Sequence, residues 1–551
     1  MMNLLLFIEM LISYSCTYLF FLLMGRSFFI ILKLAFNLNS NNKSTIFTKK
    51  IMYPLTGFIF FSNLLVILNF FIPLKSPLTY LIASILILIN FKDLDLNLKN
   101  IFNFKIIFYY LIIPGILVIS SFDINFHYDA GYYHLNSQNW IRESNIVFGL
   151  VNIFWPLGMS SVYEYISAFF WIDANFLYLH YINLFFIHNF YLFLLENLNS
   201  KNTFLKNSSI FIIIFSLLDN FGALGGRNGY IYIEGVGKQD VAVGILIYII
   251  FIYSVMLIKN SNKFEYLDCV LYSMLILFVI QIKLNAFPVM FLYFFTIYIY
   301  HKNGYSKLKI FKSQLITLFF GFTWILKNYL TTGCLIFPLS LTCINNFKWY
   351  VFSSTETFEG VTKAYSLNYT FGLGFINWFE KFIENSLHLS LIINFLSSLI
   401  ILITLRLFFF QKESVDKKII KIAQIFVFLF FIFLFFYGPI PRYAIGGFLT
   451  SIGMLGLNTR KIKINFSQSF YYLMTTLSIL LLLRVDAYSS FLNNKGIVLF
   501  DPREIAQYID IGNDWFSPDS GDQCWINLNC TMGTSDIEIN NEGYFKIAYK
   551  Q

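Results

Sequence analysis

Residues 106–134 read IIFYYLIIPGILVISSFDINFHYDAGYYH. Residues 106–122 carry no charge and come close to the ~20 residues that a helix needs to cross a hydrocarbon core. The stretch that follows, Phe122 to His134, holds two carboxylates, two histidines and three tyrosines. Ionisable groups at a membrane face are costly unless they are used, so this loop is the first candidate site.

The same apolar pattern recurs along the chain, which is 57% hydrophobic, 13% charged and carries 68 phenylalanines in 551 residues. Candidate spans are 3–24, 51–72, 77–91, 106–122, 176–195, 208–219, 239–258, 266–282, 284–300, 313–330, 387–408, 421–437, 441–456 and 467–484. The fold class expected is an all-α polytopic integral membrane protein with about 13–14 transmembrane helices. Barrel strands would alternate polar and apolar residues, and these runs do not. Residues 1–24 lack a basic start and carry Glu9, so they read as a retained first helix.

The net charge of +9 does not point to nucleic acid, because no polar domain displays it. Lys and Arg instead occupy alternate loops: Arg26 to Lys50, Lys92 to Lys105, Lys201 and Lys206, Lys259 and Lys263, Lys302 to Lys312, Lys412 to Lys421 and Arg460 to Lys463. By the positive-inside rule these face the cytosol. Loops 123–160, 220–238, 331–386 and the turn 438–441 then lie outside the cytosol. The expected organisation is a transmembrane domain, 1–484, and an extracytoplasmic polar tail, 485–551. The stretch 157–195 reads as one crossing or two; the pair Lys201 and Lys206 favours one. Cys524 and Cys530 in the tail read as a disulfide stapling a small lobe, or as two free thiols. Cys334 and Cys343 are a second possible pair.

In the first loop, Asp129 precedes Tyr132, Tyr133 and His134, then Arg142 and Glu143. A carboxylate at a low-dielectric face is expected to keep a raised basicity, suited to taking a proton from a hydroxyl. Asp129 and Asp123 are the candidate catalytic acids, and Tyr132, Tyr133, His134, Arg142 and Glu143 the candidate substrate contacts. The competing reading is an interfacial aromatic belt with solvated acids. His127, Asp129 and His134 match no standard zinc spacing. A divalent ion, Mg or Mn, on Asp123 or Asp129 is the one cofactor considered.

The run Asp129-Ala130-Gly131-Tyr132, followed by Trp155-Pro156-Leu157 and an apolar stretch, resembles the first extracytoplasmic loop of the GT-C class of membrane glycosyltransferases. That family's second acid is absent at Ala130, and three spans precede the one that leads into the loop here. Trp324 to Pro338 is similar to the W-x-x-R-N-x-x-x-x-G-x-P-x-x-P segment of such proteins, with Lys327 in place of Arg, Asn328 retained and Leu335 in place of the inner Pro. Gly438-Pro439-Ile440-Pro441-Arg442-Tyr443 resembles an outer turn in an uncharacterised bacterial family of large polytopic membrane proteins, as does Cys524-Trp525. The resemblance implies an enzyme of the cell membrane, active on its outer face, that uses a polyprenyl-phosphate-linked sugar and a glycan, lipid or protein acceptor. Lys283, Lys327 and Arg442 would then meet the lipid phosphate, and Asp240 would orient Lys238 or a metal. Lys283 and Asp240 also read as helix caps. The alternatives are a lipid-linked glycan flippase or transporter, or a polysaccharide polymerase. No internal repeat of the kind that marks many transporters is visible.

Overall fold

The computed structural model describes residues 2–36, 49–90, 103–159, 161–172, 176–222, 229–263, 265–344, 347, 349–351, 355–360, 375–412, 417–462, 467–493, 498–499, 507–525, 528–532 and 537–550. Most of the basic loops Arg26–Lys50 and Lys92–Lys105, and parts of the loops 220–238 and 331–386, lie outside these residues.

Apolar runs become helices because a backbone in lipid must satisfy its own hydrogen bonds. Among the described residues, eight helices are long and apolar enough to cross a membrane: Asn3–Ala35, Ile51–Asn69, Phe104–Phe122, Leu177–Leu198, Thr203–Phe221, Asp240–Lys259, Ser386–Phe409 and Lys417–Tyr437. A bent pair, Gln468–Leu482 and Val485–Leu492, turns through 88° and makes up to nine. The expected count of 13–14 is therefore larger than the count of helices with full spanning length. Helices do form at the other expected stretches, but Pro77–Leu88, Val289–Lys302 and Ile445–Met454 are short. At 1.5 Å per residue, a helix of 10 residues reaches only about 15 Å. Between 157 and 195 one full-length helix, Leu177–Leu198, follows a nine-residue helix, Val162–Phe170, which is too short to cross.

The first two helices cross closely. A Cβ on Gly25 would fall on the Tyr53 carbonyl, and one on Gly57 on the Phe21 carbonyl, so only glycine admits this approach. Phe21, Phe58 and Phe185 pack around the crossing with ring centroids 4.8–5.2 Å apart. The helix Asp240–Lys259 is central, with its whole apolar window buried.

The connectors separate to two ends of the bundle. Near one end Ser120 Oγ and His180 Nε2 lie 2.8 Å apart. Towards the other end of the same two helices Lys105 pairs with Glu196 at 2.9 Å. The Lys105 end also holds Asn207 against Thr459 and Arg406 against the Leu457 carbonyl. The opposite end gathers the loop after Phe122, residues 229–239, Lys283, Arg442 and the tail.

The all-α expectation does not extend to the tail. There Tyr508–Gly512 pairs with Trp515–Pro518, and Ile537–Glu542 with Phe545–Lys550, as antiparallel hairpins. The second hairpin is bonded to the first loop: the Phe148 N–H donates to the Lys546 carbonyl at 2.9 Å, and the Ala548 N–H to the Phe148 carbonyl at 2.8 Å. Trp140, Leu150 and Ile153 of the loop share one buried cluster with Trp515 and Ile537 of the tail. Cys524 is bonded to Cys530, and Cys334 to Cys343.

Candidate functional site

Asp240 opens the central helix, and its N–H donates to Glu234 Oε1 at 2.9 Å. Its side chain is only 3% exposed and lies between two cations. Lys283, where the helix Tyr266–Ile282 ends in extended backbone, forms a direct ion pair with it. Arg442, on the turn Pro441–Ala444, brings Nε to 3.7 Å from the second carboxylate oxygen. Proline at the first position presets that turn. The ring of Tyr443 lies 4.2 Å from the Lys283 ammonium and 5.3 Å from the Arg442 guanidinium.

The Asp129 loop is held against this cluster by its backbone. The His127 N–H donates to the Val236 carbonyl, and the Val236 N–H to the Asn125 carbonyl, both at 2.9 Å. Gly237, at φ +85°, lets the second strand of chain lie on Ala130; a Cβ there would come within 2.8 Å of it. Asp129 precedes the π-helical turn Ala130–His134, and its carboxylate is 3.2 Å from His127 Nδ1.

Burial works to raise the Asp129 carboxyl, but the hydrogen bond and charge of His127, with His134 and Arg442 beyond it, outweigh burial and bring its pKa down to about 2. The raised basicity expected for this acid is therefore corrected in direction: its hydrogen bond and the surrounding charges outweigh the low dielectric, while burial holds the His127 imidazole, whose Nδ1 also accepts the Asp129 N–H at 3.1 Å, below its own usual value. Glu234 is the acid that moves up, to about 7, through burial and the nearby Asp240 charge. Burial, with Arg442 close by, holds Lys238 below the usual lysine range. Burial opposes the Lys283 ammonium, but Asp240 and Tyr443 outweigh it and its pKa rises. Burial, reinforced by the Asp129, Glu164 and Asp240 carboxylates, holds the Tyr133 hydroxyl well above its usual value, and its ring lies 4.1 Å from that of His134.

Behind Tyr133 is a second, buried set. Glu164 Oε1 lies 2.5 Å from His134 Nδ1 and accepts from the Gln239 amide at 2.7 Å, while Oε2 accepts from the Gln138 amide at 2.6 Å. Lys327 is within electrostatic reach of Glu164, and its ammonium donates to Asn328 Oδ1 at 3.3 Å. Tyr132 packs edge-on against Phe154.

Asp129, Tyr133, His134, Asp240, Lys283, Lys327 and Arg442 thus share one region. Asp123, Arg142 and Glu143 do not join it. Asp123 pairs with Arg484 at 3.1 Å, Arg142 lies over the Trp171 ring at 5.2 Å, and Glu143 pairs with the exposed Lys75 at 3.0 Å. Glu164 and Gln138 are not singled out by the sequence reading, and Glu234 and Gln239 stand in the segment before Asp240 without a role assigned to them. Glu164 did leave a signal, an acid inside the apolar stretch 157–172.

A divalent ion on Asp123 or Asp129 would find no cage built by the described side chains alone. Among the described residues no three His, Cys, Asp or Glu side chains converge, and Asp240 already faces two cations.

No curated protein and no solved structure matches the chain. The family described as a domain of unknown function (DUF8201) matches residues 6–449, from the first helix through Arg442 and Tyr443, and the chain belongs to that family.

Proposed function

We propose that this protein is a membrane glycosyltransferase that moves a sugar from a polyprenyl-phosphate donor to a hydroxyl of a glycan, lipid or protein acceptor. The observation that carries the reading is the convergence of Asp129 with Lys283 and Arg442 at one end of the bundle, where the Asp129 loop is hydrogen-bonded to the segment that leads into Asp240. The acceptor oxygen attacks the anomeric carbon, and the bond from that carbon to the phosphate oxygen breaks with its electron pair on the phosphate. Lys283, Lys238 and Arg442 meet the charge that develops there, so leaving-group stabilisation supplies the main rate term. The acceptor proton passes to Asp129. A carboxylate of low basicity suits a late transfer, when the hydroxyl has become acidic by bonding to carbon. Tyr132 and Tyr133 offer ring faces to the sugar.

The basic connectors gather at the opposite end of the bundle, which by the positive-inside rule favours a reaction on the outer face of the cell membrane. A GT-C-like arrangement remains the parent architecture of the proposal.

The test uses membranes holding the full chain and a labelled polyprenyl-phosphate sugar. Asp129→Asn should abolish transfer, and Lys283→Ala with Lys327→Ala and Arg442→Ala should remove donor binding. Normal transfer by the first variant sinks the reading. Asn125, exposed beside the site, tests the orientation: Asn125→Cys should react with an impermeant maleimide added outside intact cells.

A further inference from the structure

Asp129 is held from two sides. The loop that leads to Asp240 supports it on one side, through Val236 and Gly237. The other side is supported by the tail. The Cys524 N–H donates to the Gly131 carbonyl at 2.7 Å, and the Tyr128 hydroxyl donates to the Asp522 carboxylate. The space beside Gly131 is filled: a Cβ there would overlap Gln523 Oε1 and come within 2.8 Å of the Trp525 ring. Trp525 meets Phe126 edge-on at 5.7 Å. The far end of this contact is anchored too. Cys530 is bonded to Cys524 and bridges Phe516, and the Thr531 hydroxyl donates to the Ile153 carbonyl at 2.6 Å.

Chain on both sides of Asp129, the Phe126 and Tyr128 side chains before it and the Gly131 carbonyl after it, therefore rests on residues almost 400 later in sequence (131 against 524). We propose that Gln523, Cys524 and Trp525, fixed by the Cys524–Cys530 bond, are positioning residues for Asp129, so that the tail is a working part of the site. This rests on the proposed transfer reaction. Lys283 and Arg442 pair with Asp240, on the other side of the Asp129 loop, so the tail is expected to act on the acid rather than on phosphate binding.

The full chain in native membrane vesicles tests it, with kcat, donor KM and protease cleavage of the tail as readouts. Gly131→Ala pushes the tail off with the disulfide intact; Cys524→Ser with Cys530→Ser loosens it with Gly131 intact. Trp525→Ala removes the contact with Phe126, and Trp525→Phe keeps it. A displacement of about 1 Å at a reacting group costs about 100-fold, so the first three variants should each lose about that much kcat. Donor KM should stay within about twofold. Trp525→Phe should remain near the parent. Gly131→Ala combined with the cysteine changes should be no worse than either alone, because both act through one contact. Parental kcat in the face of faster tail cleavage, multiplied losses, or a change confined to KM would overturn the proposal. If Asp129→Asn is inactive while Trp525→Ala and Gly131→Ala are normal, the positioning role fails by itself. If Asp129→Asn is fully active, the reaction is what fails.

Discussion

Replacing Lys283 with methionine separates two roles that this lysine combines. Its partner Asp240 is 3% exposed, whereas Lys283 is 31% exposed. Without the ammonium, Asp240 keeps Arg442 at 3.7 Å. At an effective dielectric near 20 that attraction is worth at most about 4 kcal/mol, before desolvation is counted. Cutting one partner from a buried pair costs about 3–5 kcal/mol, and the surviving cation and the exposure of Lys283 place this case near 3. If Lys283 also holds the donor phosphate, a charge-assisted bond of about 1.5–3 kcal/mol disappears. That corresponds to a rise of about 10- to 150-fold in donor KM. Adding Asp240→Asn removes the stranded charge and should return stability to within about 1 kcal/mol of the parent, yet it restores no cation. Unfolding in detergent can be followed by the Cys269 thiol, which is buried. Transfer is followed in vesicles with the labelled donor. If KM returns to the parental value together with stability in the double variant, Lys283 serves only to neutralise Asp240.

The two shifted acids give opposite pH signatures. Glu234, raised to about 7, keeps its proton in the fold while the unfolded chain loses it, so its contribution to stability declines as pH rises from 4.5 through 7. Glu234→Gln should gain on the parent by on the order of 3 kcal/mol between pH 4.5 and 8, followed by thermal unfolding, and should remove any acid limb near 7 from the pH–rate profile. Asp129, lowered to about 2, contributes stability that is present above 3.8 and fades as pH falls towards 2, so it sets no limb in the neutral range. Arg484→Met leaves Asp123 buried without its cation and should cost about 3–5 kcal/mol, with Asp123→Asn in the same chain recovering most of it and donor KM unmoved throughout. Glu164→Gln offers one acceptor oxygen to donors that now use two, from Gln138, Gln239 and His134; thermal unfolding should show a loss of about 1–3 kcal/mol.

Helix positions were legible because lipid-crossing runs are long and free of charge. What was hidden is length after folding. The run 467–484 reads as continuous, but the chain turns at Leu483 and Arg484, where Arg484 leaves the helix to meet Asp123. The run 441–456 contains Pro441, and its first turn becomes a tight 3-10 turn that aims Arg442, so only Ile445–Met454 remains α-helical. In the first place a polar contact made far away in sequence marks where the apolar helix stops; in the second Pro441 sets the turn and the distant contact with Asp240 engages Arg442. Local hydropathy carries no record of it.

The same limit governs the site. Asp129, Asp240, Lys283 and Arg442 stand out in sequence because each interrupts or borders an apolar run. Their partners do not, and the partners set the chemistry. His127, with His134 and Arg442, turns an expected strong base into a weak one. Asp240 has a comparable consequence for the cations. Lys283 and Arg442 are already engaged by a buried carboxylate, so an incoming phosphate must share them with Asp240. On the proposed reaction that competition has a use. Unopposed, two cations would hold the released polyprenyl phosphate as firmly as the transition state, and binding shared equally by both gives no acceleration. A resident carboxylate lowers the hold on the product while leaving the cations in place to respond when charge develops on the leaving oxygen. Asp240 is then the group that lets the site release what Lys283 and Arg442 attract.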